Sequence, residues 1–288
     1  MNIIKTLQQW LCGDLLAKID ELKVKEEPLA KIWNDKYPKT TLSWNARSLP
    51  FSTTKIKVPL TTLITKSDGT ILKDLADWGI DSDKESFETL VPKIYNKIRT
   101  EYYHYARDVN VWGNNEVFEF PFEMKAKAAL EGKDMAFDCD SWAIFQVSYY
   151  LAAGLPSWRV RVVGGKCKGI NGGHATVAVY SLKTKQWYHM NSTYGKSFDT
   201  ISTYPSINDK TDKIGIGTVW FSFNDEYSWA KFDEVLPEGI SKWLKTYVRD
   251  VVNVAITFGK EKRRDVSFLL TQLMVKPNVA FMKQGLVQ

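Results

Sequence analysis

The sequence predicts an α+β fold: one buried helix packed on an antiparallel sheet, with helical elaborations at both ends of the chain. Three observations predict it. Residues 139–153 are apolar on nearly every helical face and are bounded by Asp138 and by Gly154 with Pro156, which are start and stop signals for a helix. Arg159 to Val163, His174 to Tyr180 and Trp187 to Asn191 read as strands, the last two joined by a turn from Leu182 to Lys185. Both termini carry helical periodicity instead.

Taken in order, Ile3, Leu7, Trp10, Leu11, Leu15, Ile19 and Leu22 recur at three- and four-residue steps and predict an amphipathic helix over 3–24. The charged stretch from Lys23 to Lys39, with Pro28 and Pro38, is expected to loop around a short helix. Ile56 to Val58 and Thr70 to Leu72 read as short strands around a turn at Ser67-Asp68-Gly69. Phe87, Leu90, Val91, Ile94, Tyr95, Ile98 and Tyr102 share one face of a helix over 84–106. Residues 108–123 read as a loop, and 123–131 as a helix ending at Gly132. The segment from Gly164 to Gly173 reads as a glycine-rich loop without the spacing of a phosphate cradle. A polar loop from Asp209 to Gly217 precedes a strand from Thr218 to Phe223. Ile240 to Phe258 and Val266 to Val275 read as helices joined by the basic run Lys260 to Arg264. These elements divide the chain into an N-terminal extension over 1–84, a core over 85–235 and a C-terminal helical extension over 236–288.

Composition narrows the function. The chain has 288 residues, 44% hydrophobic and 25% charged, which excludes wholesale disorder. A net charge of +6 with one short basic run is not the concentrated footprint of a nucleic-acid protein. No stretch approaches the roughly 18–20 apolar residues of a membrane span. The N-terminus lacks the features of a signal peptide, so the protein is expected to be cytoplasmic as synthesised. There are three Cys (Cys12, Cys139, Cys167) and three His (His104, His174, His189). An odd cysteine count without a C-x-x-C pair argues against a disulfide scaffold or zinc ribbon. Any catalytic Cys or His therefore comes from six residues.

Cys139 falls in the first turn of the predicted central helix, where the positive end of the helix dipole favours the thiolate. Asp138 and Asp140 oppose that effect, so a nearby imidazolium has to supply much of the activation. His174 opens one strand and Asn191 closes its hairpin partner, an arrangement that brings them side by side. Together they form a nucleophile, a base and an orienting amide. The other candidates have plainer readings. Cys12 and Cys167 read as packing and loop residues, and His104 as part of a tyrosine cluster. Asp140 and Trp142 read as local structure. His189 shares a face with Asn191 and lines the site at most. A zinc site from Cys139, Cys167, His174 and His189 is a weak alternative, because the short paired-ligand spacing is missing.

The run Asp138-Cys139-Asp140 before a helix ending in Ala153-Gly154-Leu155-Pro156 resembles the transglutaminase-like branch of the papain-like cysteine enzymes. So do the Arg159 to Val163 strand, Gly173-His174-Ala175 and Trp187 to Thr193. The resemblance covers roughly residues 85–200. It implies a papain-like core with Cys139 as nucleophile, His174 as base and Asn191 as the third residue. That third position usually holds Asp in the family, and Phe137 stands where a small Gly is common. The expected function is a thiol-dependent acyl transfer on a peptide or protein, cysteine peptidase or amidase first and amine transfer second, with no cofactor and no metal. The competing expectation is a non-catalytic structural or binding protein of the same fold, virion-associated if phage-encoded, whose terminal helices dock a protein partner.

Overall fold

In the computed structural model the described residues are 26–37, 43–48, 55–113, 117–131, 135–169, 171–193 and 197–230. The predicted helices over 3–24, 240–258 and 266–275 lie outside them, as does Cys12. In chain order the elements are helix α1 (Pro28–Lys36), strands β1 (Ser43–Ser48) and β2 (Lys55–Pro59), and helices α2 (Gly69–Asp77) and α3 (Phe87–Glu101). Strand β3 (His104–Tyr105), helices α4 (Asp108–Trp112) and α5 (Pro121–Glu131) and strand β4 (Ala136–Phe137) follow. Helix α6 (Cys139–Ala152) and strands β5 (Val160–Cys167), β6 (Gly173–Ser181), β7 (Gln186–Met190), β8 (Ile216–Phe223) and β9 (Ser228–Ala230) complete the set.

The central sheet has the order β7-β6-β5-β8-β9, and each of its pairs is antiparallel. Helix α6 lies against one face. Its apolar residues point in every direction, and Trp142, Ile144, Phe145, Val147, Tyr149 and Tyr150 are all fully buried. They share a core with Val160 and Val162 of β5 and Val177 and Val179 of β6. Ser148 and Gln146 inside α6 are hydrogen-bonded. Ser148 Oγ donates to the Ile144 carbonyl at 2.9 Å and accepts from the Thr65 N–H at 3.1 Å. Gln146 Nε2 donates to the Tyr150 hydroxyl at 2.6 Å. Trp142 Nε1 reaches the carbonyls of His104 and Phe137, at 3.0 and 3.1 Å, and ties the parallel pair β3–β4 to the start of α6.

The other sheet face is covered by α1 through a buried cation. Arg161 of β5 donates to Asn34 Oδ1 (2.9 Å), to the Tyr37 carbonyl (2.8 Å) and to Ser222 Oγ (3.2 Å). Its guanidinium also lies over the Tyr227 ring at 5.0 Å, and burial lowers its pKa to about 10.

Three expectations are corrected. Thr70 to Leu72 is helical, because the Asp68 carboxylate caps α2 by accepting from the N–H groups of Thr70 and Ile71. Ile71 and Leu75, four residues apart, then face the core. The 108–123 loop contains α4, which stops at Gly113 with φ +71°. The glycine-rich loop starts later than expected, since Gly164 and Gly165 belong to β5. A side chain at Gly164 would meet the Phe221 ring, and one at Gly165 would meet the Thr218 carbonyl. These glycines admit β8 closely rather than form a loop.

Candidate active site

Cys139 is the first residue of α6 and is half-buried. Asp138 holds the N-cap position with an extended backbone (φ −90°, ψ −168°), but its carboxylate caps no helix N–H. It accepts weakly from Ser141 Oγ at 3.4 Å instead, which corrects the expected side-chain cap. Ser141 also donates to buried Glu119, whose other oxygen accepts from Trp112 Nε1. Burial, then the charges of Asp108 and Asp138, push the Glu119 carboxyl well up.

Asp140 is buried as well, and burial, then Asp138, raise its carboxyl well above the usual value. Asp140 Oδ2 is buried with no hydrogen-bond partner among the described residues. Asp138, Cys139 and Asp140 bring one ligand atom each within 4.8 Å of one another. They are the one group of this kind among the described residues, and the four residues of the zinc alternative do not form another.

The structure joins His174 and Asn191 directly. His174 Nε2 lies 3.0 Å from Asn191 Oδ1 across the β6–β7 hairpin. The Thr193 N–H donates to the same oxygen at 3.1 Å, which fixes which end of the amide faces the ring. An oxygen can only accept, so Nε2 carries the hydrogen and Nδ1 is the basic nitrogen. Helix α3 holds Asn191 from behind. Tyr95 OH donates to the Asn191 carbonyl at 2.8 Å, and Arg99 reaches the carbonyl of Ser192. Sequence reading missed Tyr95 and Arg99 because their apolar and charged positions are ordinary for a helix.

His174 is 7% exposed. Burial lowers its pKa, the Asn191 bond raises it, His189 lowers it and Asp138 raises it. The last effect puts His174 within the electrostatic reach of the residue preceding Cys139. His189, expected to line the site, is buried beside Asp212, and burial lowers its pKa too. Each buried histidine binds a proton less readily folded than unfolded. That stability is fully present above about pH 6.5 and is lost as pH falls through the lower folded values. Denaturant midpoints should therefore drop between pH 7 and pH 5, and His189→Gln should reduce the drop. An equal drop in both proteins contradicts this. Cys167 is buried at the end of β5, and burial, then Asp212, raise its thiol away from reactivity. His104 is exposed.

No protein-family model matches the chain, and neither does any curated protein. Among solved structures, the chain is similar to Legionella pneumophila LapG at 20% identity and TM-score 0.40, over 66% of this chain and 94% of that one. The calcium-bound form of LapG matches at 18% identity and TM-score 0.39, over 65% and 91%. A candidate cysteine protease from Cytophaga hutchinsonii matches at 15% identity and TM-score 0.31, over 63% and 59%.

Proposed function

We propose that the protein is a transglutaminase-like cysteine peptidase or amidase with Cys139 as nucleophile, His174 as base and Asn191 as orienting residue. The observation that carries this reading is the 3.0 Å contact between His174 Nε2 and Asn191 Oδ1, with the amide fixed by Thr193. It leaves Nδ1 to accept the Cys139 thiol proton. The thiolate attacks a substrate carbonyl carbon, and the oxyanion forms near the helix-start N–H of Cys139. Collapse breaks the C–N bond, His174 returns its proton to the leaving amine, and a thioester remains. Water, deprotonated by His174, then releases the acid and restores the thiol. No helix among the described residues is long and apolar enough to cross a membrane.

The test is labelling by iodoacetamide at neutral pH with mass-spectrometric site mapping. Cys139 is expected to be the residue alkylated fastest, and Cys139→Ala to lose both the label and hydrolysis of an unstructured protein substrate. Alkylation confined to Cys12 or Cys167 would favour the non-catalytic reading of the same fold.

A further inference from the structure

The β6–β7 ladder ends at the pair Val177 with Met190, so Asn191 and Ser192 lie just beyond it. The Asn191 side chain nonetheless meets His174 across the hairpin. The carbonyls of three successive residues there are each met by a helix side chain. Tyr95 OH donates to that of Asn191 and Arg99 to that of Ser192, both from α3. The third donor is Gln146 of α6, whose Nε2 reaches the Met190 carbonyl at 3.4 Å. The Ser192 hydroxyl donates to Gln146 Oε1, so one amide holds the residues on both sides of Asn191.

Gln146 is fully buried, and both ends of its amide are engaged. A carbonyl only accepts, so the Met190 contact identifies Nε2 and leaves Oε1 to accept from Ser192. Nε2 also donates to the Tyr150 hydroxyl at 2.6 Å, and that hydroxyl lies 3.7 Å from Met190 Sδ. Gln146 and Tyr150 are four residues apart on α6, so both contacts to Met190 come from one face of the helix. Cys139 stands seven residues before Gln146, two turns away on the same face. The helix that carries Cys139 is thus bonded directly to the chain on either side of Asn191.

We propose that Gln146 is a positioning residue of the thiol site: it fastens the Met190–Ser192 segment to the Cys139 helix and so keeps Asn191 Oδ1 on His174 Nε2. The inference rests on the thiol mechanism above. A base and its orienting group have to be held to within about 0.5 Å, and hydrogen bonds from behind the site supply that precision where apolar packing can slide. Burying an amide is costly unless its bonds are made, and a Leu or Met would serve packing alone as well.

The test reads how fast the His174 ring N–H exchanges with water, by saturation transfer in proton–nitrogen correlation spectra. The sample is the full chain carrying isotope-labelled histidine at about pH 7.5, where an ordinary histidine is mostly neutral. The chain has three histidines, and His174→Ala and His189→Gln identify two of the signals. Gln146→Met keeps the volume and removes the bonds. It is expected to raise the His174 exchange rate about tenfold, the upper part of the range for one lost hydrogen bond, while His189 stays within about twofold. His189 lies on β7 two residues before Asn191, so a general loosening of the strand would move both signals. In an Asn191→Ala background, Gln146→Met is expected to add nothing, because its effect passes through Asn191. Should Gln146→Met fail to fold, Ser192→Ala removes one of the bonds and is expected to raise the His174 rate about threefold. An unchanged His174 rate in a folded variant, a parallel rise at His189, or a full further rise in the Asn191→Ala background overturns the inference while leaving the thiol mechanism standing. A wild-type Cys139 that iodoacetamide does not alkylate at neutral pH overturns the mechanism and the inference with it.

Discussion

His174→Ala is expected to lower kcat for peptide hydrolysis about a thousandfold while leaving KM within a few-fold. A thousandfold loss corresponds to about 4 kcal/mol of transition-state stabilisation, within the range of about 10²–10⁴-fold for a positioned general base. The loss is large because, in the proposed mechanism, His174 acts twice, taking the thiol proton and delivering it to the leaving amine. Neither task has a substitute nearby. His189 is buried against Asp212, and Asp138 is a carboxylate that would repel the thiolate it helped to form. Asn191→Ala should cost less, because it removes orientation and leaves the base. Steady-state kinetics on an unstructured protein substrate decide the matter. If His174→Ala keeps more than a tenth of wild-type kcat, the base lies elsewhere.

The residues proposed for this mechanism each carry a local signal in the sequence. Cys139 sits between a cap position and an apolar run, and α6 folds where that run lies. His174 lies in β6 and Asn191 just past the end of β7, two strands whose turn is short enough to predict their meeting, and they meet at 3.0 Å. The charges around them were not legible. Asp212 reaches His189 only because Lys168 and Gly215, from two different segments, shape one loop. No periodicity records such a contact. Asp140 gave no sign of a raised carboxyl, since burial by the rest of the fold decides it. The misread strand at Thr70 to Leu72 has a similar origin. Two β-branched residues favour extended backbone locally, but the Asp68 cap and the Ile71–Leu75 pair outweigh that preference once the core is present.

Glycine in the segment from Gly164 to Gly173 was legible only as glycine, and two substitutions separate its roles. Gly165→Ala is expected to destabilise the fold by about 3 kcal/mol, the upper part of the range for overpacking. Gly165 sits in β5, the middle strand of the sheet, paired with His174 on one side and Val219 on the other. Its added Cβ would lie 2.0 Å from the Thr218 carbonyl oxygen and 2.8 Å from Ile216 Cγ2. A backbone oxygen cannot swing aside as a side-chain tip can, so β8 has to move. The β5–β8 ladder already shifts register between Gly164 and Gly165, and this is where the sheet can yield. At about 2–4 °C per kcal/mol for a chain of this size, the melting midpoint should fall by roughly 6–12 °C. Gly172→Ala is the matched control. Nothing lies within 4 Å of a Cβ there, and its effect should stay within about 0.5 kcal/mol. Because Gly165 faces His174 across the ladder, Gly165→Ala should also slow Cys139 alkylation at temperatures below its melt. Equal melting midpoints for the two variants would mean that the close approach of β8 to β5 does not constrain this strand.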